Sequence, residues 1–257
     1  MLSGLESTFE EIREAVCRYL TGSRDMDQVT SQERKDIEEI LRRGCRRFYY
    51  PATSGPTFNH EWSFLTVAFT FETVSEVHTY EMPPDFGGFE GWLTHAEGDS
   101  FGYIQIRKVP EEHIRLYHSG QTSAVGAPQF YCERPKGSSG MAAQGWEIDL
   151  WPSPDAAYSL TGMYRVHPNA LSGIRKYPYG GPDHANTLYL ACMAEAELFD
   201  KGMAGGYMNE FRTALNGSIL IDRATHAAQN HGYNSGNGQV NRPRFQRVRG
   251  NANFSGV

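Results

Sequence analysis

One stretch of the chain predicts two strands and a turn: Trp146-Glu-Ile-Asp-Leu-Trp-Pro-Ser-Pro-Asp-Ala-Ala-Tyr-Ser-Leu-Thr-Gly-Met-Tyr-Arg-Val166. Ile148 and Leu150 alternate with Glu147, Asp149 and Trp151, which is the period-2 pattern of a strand. The two prolines that follow interrupt this pattern, because proline fixes φ and lacks a backbone donor. The aromatic and β-branched residues after them predict a second strand, and the whole stretch predicts a hairpin.

The chain before this hairpin predicts further strands, so that residues 61–170 form a β domain of about six strands. Between two of these strands, Pro110 is followed by two acidic residues, a pattern that favours one or two helical turns. The other predicted strands cover 65–71, 78–82, 101–108 and 129–133.

Helices are predicted on both sides of the β domain. Residues 4–20 carry an apolar stripe at helical spacing. Thr30-x-x-Glu33 is a capping-box pattern that begins a second helix. Apolar residues at helical spacing from 183 to 201 and from 207 to 229 predict two more helices, with Gly202 as the stop of the first.

The predicted fold class is therefore α+β. Helices of segments 1–60 and 171–229 pack together as a helical bundle. An antiparallel β-sandwich or barrel domain, 61–170, is inserted between them, and an extended basic tail, 230–257, follows.

The tail is poor in apolar residues over 230–241, so that alone it is expected to be disordered. Its second half alternates arginine with apolar residues, and arginine and aromatic side chains dominate interface energetics. We predict that the tail becomes ordered against a protein partner, the alternative being a solvated basic end. The expected contact residues are Arg242, Arg244, Phe245, Arg247 and Arg249.

The charge of the chain is unevenly distributed. The net charge is −6, and setting aside the four tail arginines leaves −10 on residues 1–228. An acidic body with a basic tail is not the pattern of a general nucleic-acid-binding protein.

Several functional classes lack their sequence signals. The four cysteines are far apart and form no C-x-x-C pair, which predicts a reduced compartment without a redox or zinc motif. We expect no secretory signal and no membrane partner, since neither a signal peptide nor an apolar run of about 20 residues is present. The nine histidines are scattered, and no H-E-x-x-H, G-x-S-x-G or Walker A pattern occurs. The sequence thus predicts no metal, no cofactor, no catalytic residue and no enzyme.

Five short motifs, in this order along the chain, resemble those of the head-to-tail adaptor proteins of tailed bacteriophages, also called neck or head-completion proteins. The similarity covers about 44–215. The motifs are Gly44-x-x-Arg-Phe-Tyr-Tyr-Pro51, His60-x-Trp-x-Phe-Leu65, Tyr80-Glu-Met-Pro-Pro-Asp-Phe86, Gly126-Ala-Pro-Gln-Phe-Tyr131 and Leu150-Trp-Pro-Ser-Pro-Asp-Ala-Ala-Tyr158.

This resemblance implies a structural virion protein without catalysis. Adaptors of this kind form a ring, usually of twelve copies, beneath the portal at the capsid vertex. The ring extends the DNA channel, through which DNA passes without sequence-specific binding, and docks the next tail or nozzle protein. The implied location is the virion neck, after a period in the host cytoplasm.

Two alternatives remain open at this point. The first is another neck or tail component, such as a stopper, tail-tube or baseplate protein. The second is an enzyme or a carbohydrate-binding module that uses Trp92, Trp146 and Trp151 as a stacking platform.

Overall fold

In the computed structural model, the described residues form seven strands and five α-helices, which confirms the predicted α+β class. The structure describes residues 7–51, 60–96, 105–120, 124–137, 140, 144–169, 171 and 176–226. All of them belong to one compact unit, Met1–His226. The predicted tail, 230–257, lies outside the described residues, and the other predicted domain boundaries stay predictions.

The helices carry the local capping signals expected of them, although the first helix begins at Phe9 and not at residue 4. Thr8 and Thr30 each form a complete capping box, in which the threonine accepts from the third helical N–H and a glutamate accepts from the cap N–H. Gly22 and Gly202 end two helices in the left-handed conformation. The helices are α1 Phe9–Thr21, α2 Ser31–Tyr49, α3 Glu111–Gly120, α4 Gly181–Lys201 and α5 Gly206–His226.

Four of these helices, α1, α2, α4 and α5, share a hydrophobic core. Helix α4 is buried along much of its length, including Ala191, Cys192 and Ala194. Its small residues let α2 approach closely. A Cβ atom on Gly44 of α2 would lie only 2.7 Å from the Cα atom of Cys192.

The strands form one sheet in the order β1-β7-β3-β4-β5-β6-β2. The rings of Phe71 on β1 and Tyr80 on β2, the two edge strands, lie 5.5 Å apart because the sheet curls into a half-barrel. The predicted sandwich or barrel and the predicted bundle stay predictions. The strands are β1 Thr66–Glu72, β2 Thr79–Glu81, β3 Phe86–His95, β4 Gln105–Lys108, β5 Phe130–Pro135, β6 Trp146–Trp151 and β7 Ser159–Val166.

The predicted hairpin between β6 and β7 is wrong, although both strands are present. Strand β6 pairs with β5 and β2, whereas β7 pairs with β1 and β3. The connection between them bonds to other segments, with Glu76 N–H donating to Pro154 and Gly126 N–H donating to Ser153. The chain therefore crosses between the two halves of the sheet at this point.

The prediction of a purely antiparallel domain is also wrong at one pair. Strands β4 and β5 are parallel, with Arg107 opposite Phe130, and all other pairs are antiparallel. Helix α3 connects β4 to β5, and a parallel pair needs a crossover connection of this kind.

Strand β3 was not predicted, and it lies between β7 and β4 in the sheet. It contains Gly87, Gly88 and Gly91, and the last two have positive φ. Glycine within a strand weakens the sequence signal and often marks a bulge. The pairing of β3 with β7 does shift register between Phe86 and Phe89.

Candidate functional site

The five tail residues predicted to contact a partner, Arg242, Arg244, Phe245, Arg247 and Arg249, lie outside the described residues. Their role stays a prediction. The structure does describe α5, the helix that leads to this segment. Two large apolar side chains near its C-terminal end, Leu220 and Ile221, are 66% and 46% exposed.

Helix α5 is held at its first turn by a carboxylate from α4. Glu197 accepts a hydrogen bond from the backbone N–H of Tyr207 at 3.0 Å and contacts Lys201 at 3.0 Å. The hydrogen bond to Glu197 satisfies one of the free N–H groups at the start of the helix. The side chain of Glu197 thus connects the end of α4 to the start of α5.

The last turns of α5 are anchored at the junction with the sheet. The buried carboxylate of Asp222 accepts from the hydroxyl of Ser63 and lies 2.9 Å from Nε2 of His60. Both partners directly precede β1. The exit of α5 is therefore fixed against the segment through which the chain enters the sheet.

Aromatic rings surround this junction. Trp62 donates from Nε1 to the carbonyl of Phe48 at 3.0 Å, and His184 of α4 lies 5.3 Å from the Trp62 ring. Burial lowers the pKa of both His60 and His184, with Asp222 opposing the effect. The dry environment of the folded junction therefore favours the neutral form of both imidazoles.

A second polar cluster lies on the sheet, and we call it the Asp149 cluster. It joins His78, which precedes β2, His118 of α3, Asp149 of β6 and Arg134 of β5. Oδ1 of Asp149 lies 2.8 Å from Nδ1 of His78 and 3.2 Å from Nε2 of His118. Oδ2 of Asp149 lies 3.1 Å from Arg134, which also contacts Glu147.

Sequence reasoning missed the Asp149 cluster for a physical reason. His78, His118 and Asp149 are separated by 40 and 31 positions and belong to three different elements. No spacing rule connects them, because β6 brings them together by pairing with β2 and packing against α3. In the sequence, Asp149 falls on the polar side of the alternating strand pattern with Glu147, so its burial had no visible signal.

The proposed tryptophan platform is not supported by the positions of its members. Trp146 and Trp151 stand five positions apart on β6, so they point to opposite faces of the sheet. Trp151 packs against Tyr117 of α3, with ring centroids 4.7 Å apart. Trp92 is 53% exposed on β3. Trp146 and Trp151 therefore cannot share one flat binding surface.

All four cysteines are buried free thiols. Burial raises the pKa of Cys132 to about 11, which keeps it protonated at neutral pH. Among the described residues, no helix is both long enough and apolar enough to cross a membrane.

The polar clusters around Asp222 and Asp149 thus connect the protein's own elements to one another. The model of the SU10 adaptor protein family matches residues 7–238. The chain belongs to this family of phage head-to-tail adaptors. No curated protein matches it in a sequence comparison. Membership implies a structural role at the virion neck, in contact with portal and tail components.

Proposed function

We propose that this chain assembles into a homo-oligomeric ring, of twelve copies, that docks beneath the portal, extends the DNA channel and receives the tail. The match of the adaptor family over residues 7–238 carries this proposal. We also propose that the protein has no catalytic role and resides in the host cytoplasm until assembly. In such a ring, one face of a subunit contacts a different face of the next.

The charge of the body supports a channel that passes DNA without holding it. Residues 1–228 carry a net charge of −10. Each phosphate that a cation neutralises would add affinity, whereas carboxylates repel the duplex over a Debye length of about 8–10 Å. A predominantly acidic surface therefore favours passage over retention.

The basic tail, residues 230–257, carries charge opposite to that of the acidic body, and this charge favours contacts with protein partners. Helix α5 ends at His226, and the buried Asp222 anchors its last turns. We propose that the tail orders on the portal or on a neighbouring subunit, through Arg242, Arg244, Phe245, Arg247 and Arg249. Leu220 and Ile221 expose apolar area near the C-terminal end of α5.

The test measures binding of the protein to purified portal rings by sedimentation and electron microscopy. Deletion of 230–257, and replacement of the five tail residues by alanine, should each weaken binding at least about tenfold, because interface arginines and aromatics carry much of the binding energy. The matched control replaces Asn234 and Asn237, which lie in the same segment and are uncharged. Undiminished binding of the deletion variant would overturn the role of the tail.

We further propose that the free protein is a monomer or associates weakly, so that the portal templates the ring. Light scattering at micromolar concentration measures the oligomeric state of the free protein. A stable dodecamer without the portal would contradict the templating step. Binding to isolated tail components but never to the portal would instead favour a different neck or tail role, such as a stopper.

A further inference from the structure

The Asp149 cluster has the composition of a transition-metal site. Two imidazole nitrogens and one carboxylate oxygen, from His78, His118 and Asp149, lie within 4.8 Å of one another. Imidazole and carboxylate are both common zinc ligands, and three protein ligands plus an open position describe many zinc centres. We propose that this cluster binds one Zn²⁺ ion.

The spacing of the donor atoms fits this ion. Ligand atoms placed tetrahedrally around zinc at about 2.1 Å lie roughly 3.4 Å from one another. The distances from Oδ1 of Asp149 to the two imidazole nitrogens are 2.8 and 3.2 Å. The His78 and His118 side chains are 43% and 27% exposed, so they can rotate toward this spacing, with His78 Nδ1 giving up its 3.0 Å contact to the Thr79 hydroxyl.

The surroundings of Asp149 prepare it as a ligand with one free oxygen. Its side chain is 4% exposed, and Arg134 contacts Oδ2 at 3.1 Å, which leaves Oδ1 facing the two histidines. Glu147 in turn orients Arg134. A hydrogen-bonding partner of this kind fixes the direction of a metal ligand.

The site would fasten three elements that the sheet holds only partly. Strand β2 is a three-residue edge strand, and α3 lies between the parallel strands β4 and β5 along the chain. A zinc ion shared by His78, His118 and Asp149 links the start of β2 and the end of α3 to β6. This role is independent of the proposed portal-binding function.

The test uses the full chain without a histidine tag, stripped of metal by a chelator. Isothermal titration with Zn²⁺ should show saturable binding of one ion per chain, and Co²⁺ should give the visible absorption of a four-coordinate site. His118→Ala should weaken Zn²⁺ binding by at least about 100-fold, since loss of an outer partner alone costs 10–100-fold. Mg²⁺ should not compete, because it prefers oxygen ligands.

His113→Ala is the matched control, because His113 lies on the same helix and is not part of the cluster. It should retain wild-type affinity. His78→Gln provides a second variant at the most exposed ligand, should His118→Ala fail to fold. Zinc should also raise the Tm of the wild type and of His113→Ala, and leave His78→Gln unchanged. Absence of stoichiometric binding, or equal binding by wild type and both ligand variants, would show a hydrogen-bonded cluster only and overturn the proposal.

Discussion

The helical core and the curled sheet of this protein are packed in different ways. In the helices, backbones approach closely through small residues, as at Gly44 and Cys192. In the sheet, large rings interlock, and the centroid of the Phe86 ring lies 4.9 Å from that of Phe89 and 5.5 Å from that of Tyr164. Close backbones cannot move apart without shifting a whole helix, whereas side-chain ends can rotate. The helical core should therefore tolerate added volume less well than the sheet does.

The largest expected effect comes from replacing one buried phenylalanine in each region with alanine. Phe48 in the helical core and Phe86 in the sheet are both at most 1% exposed. Phe48→Ala and Phe86→Ala should each lower the free energy of unfolding by about 3–5 kcal/mol, through lost transfer energy and the cavity left behind. Urea titration followed by circular dichroism and by tryptophan fluorescence measures both values.

The same titrations test whether the two regions unfold together. Both belong to the unit Met1–His226. We expect the two probes to give one common transition in each variant. Separate midpoints for circular dichroism and fluorescence would show that the regions are independent folding units.

Adding one methyl group tests the difference in packing between the helical core and the sheet. Gly44→Ala should destabilise the protein by about 1–3 kcal/mol, because the new Cβ meets backbone atoms of Cys192. Gly162→Ala in β7 should cost less, since its Cβ meets only the end of the Leu93 side chain at close range. Thermal and urea unfolding measure the change in stability of both variants.

The control for Gly44→Ala is Gly217→Ala in α5. No atom of the described structure lies within 4 Å of a Cβ at Gly217. This change should stabilise the protein by up to about 1 kcal/mol, because alanine is the better helix former. A Gly162→Ala variant less stable than Gly44→Ala would refute the proposed contrast between the two regions.

A smaller effect tests the local signals of the helical region. Thr30→Ala removes the side chain that accepts from the N–H of Glu33. The free energy of unfolding should fall by about 1 kcal/mol, the usual cost of losing an N-cap. Ser31→Ala, one position further on, should stay within about 0.5 kcal/mol of wild type, as most surface substitutions do.

The smallest effect concerns pH and the buried histidines of the junction. Burial lowers the pKa of His60 and of His184. Each binds fewer protons when folded than when unfolded, so acid favours unfolding. The free energy of unfolding should be fully retained above the ordinary histidine pKa of about 6.5, and fall as pH drops from there to the lower folded value.

His184→Phe should reduce this pH dependence. The ring lies among aromatic side chains, and its Nδ1 finds no hydrogen-bond partner among the described residues. His113→Gln is the control and should leave the slope unchanged. A slope that is equal in wild type and His184→Phe would assign the acid sensitivity to other groups.

The sequence predicted the helices better than it predicted the sheet. The capping box at Thr30 and the stop at Gly202 were confirmed, because such signals lie within a few positions of the helix end. The pairing of β6 with β7 was wrong, because strands adjacent in sequence need not be adjacent in the sheet. Strand β3 was missed because its glycines carry little strand signal.

The two candidate sites, the tail and the Asp149 cluster, also differ in how far the sequence points to them. The contact role of residues 230–257 was predicted from composition alone, through the arginines and the lack of acids in this segment, and it stays a prediction. The Asp149 cluster could not be predicted, since its ligands come from elements that only the fold brings together. Likewise, nothing in the sequence links His60 and Ser63 to Asp222, which are about 160 positions apart.

The sequence alone determined the fold class, the helix ends, the charge division between body and tail, and the resemblance to phage adaptors. These features are local, or are sums over the chain, so neighbouring residues suffice to specify them. Only the tertiary structure decided the strand order, the half-barrel curl, the anchoring of α5 and the convergence of His78, His118 and Asp149. Those features depend on pairing between distant segments, and the free energy that selects them comes from burial of surfaces that no single segment possesses.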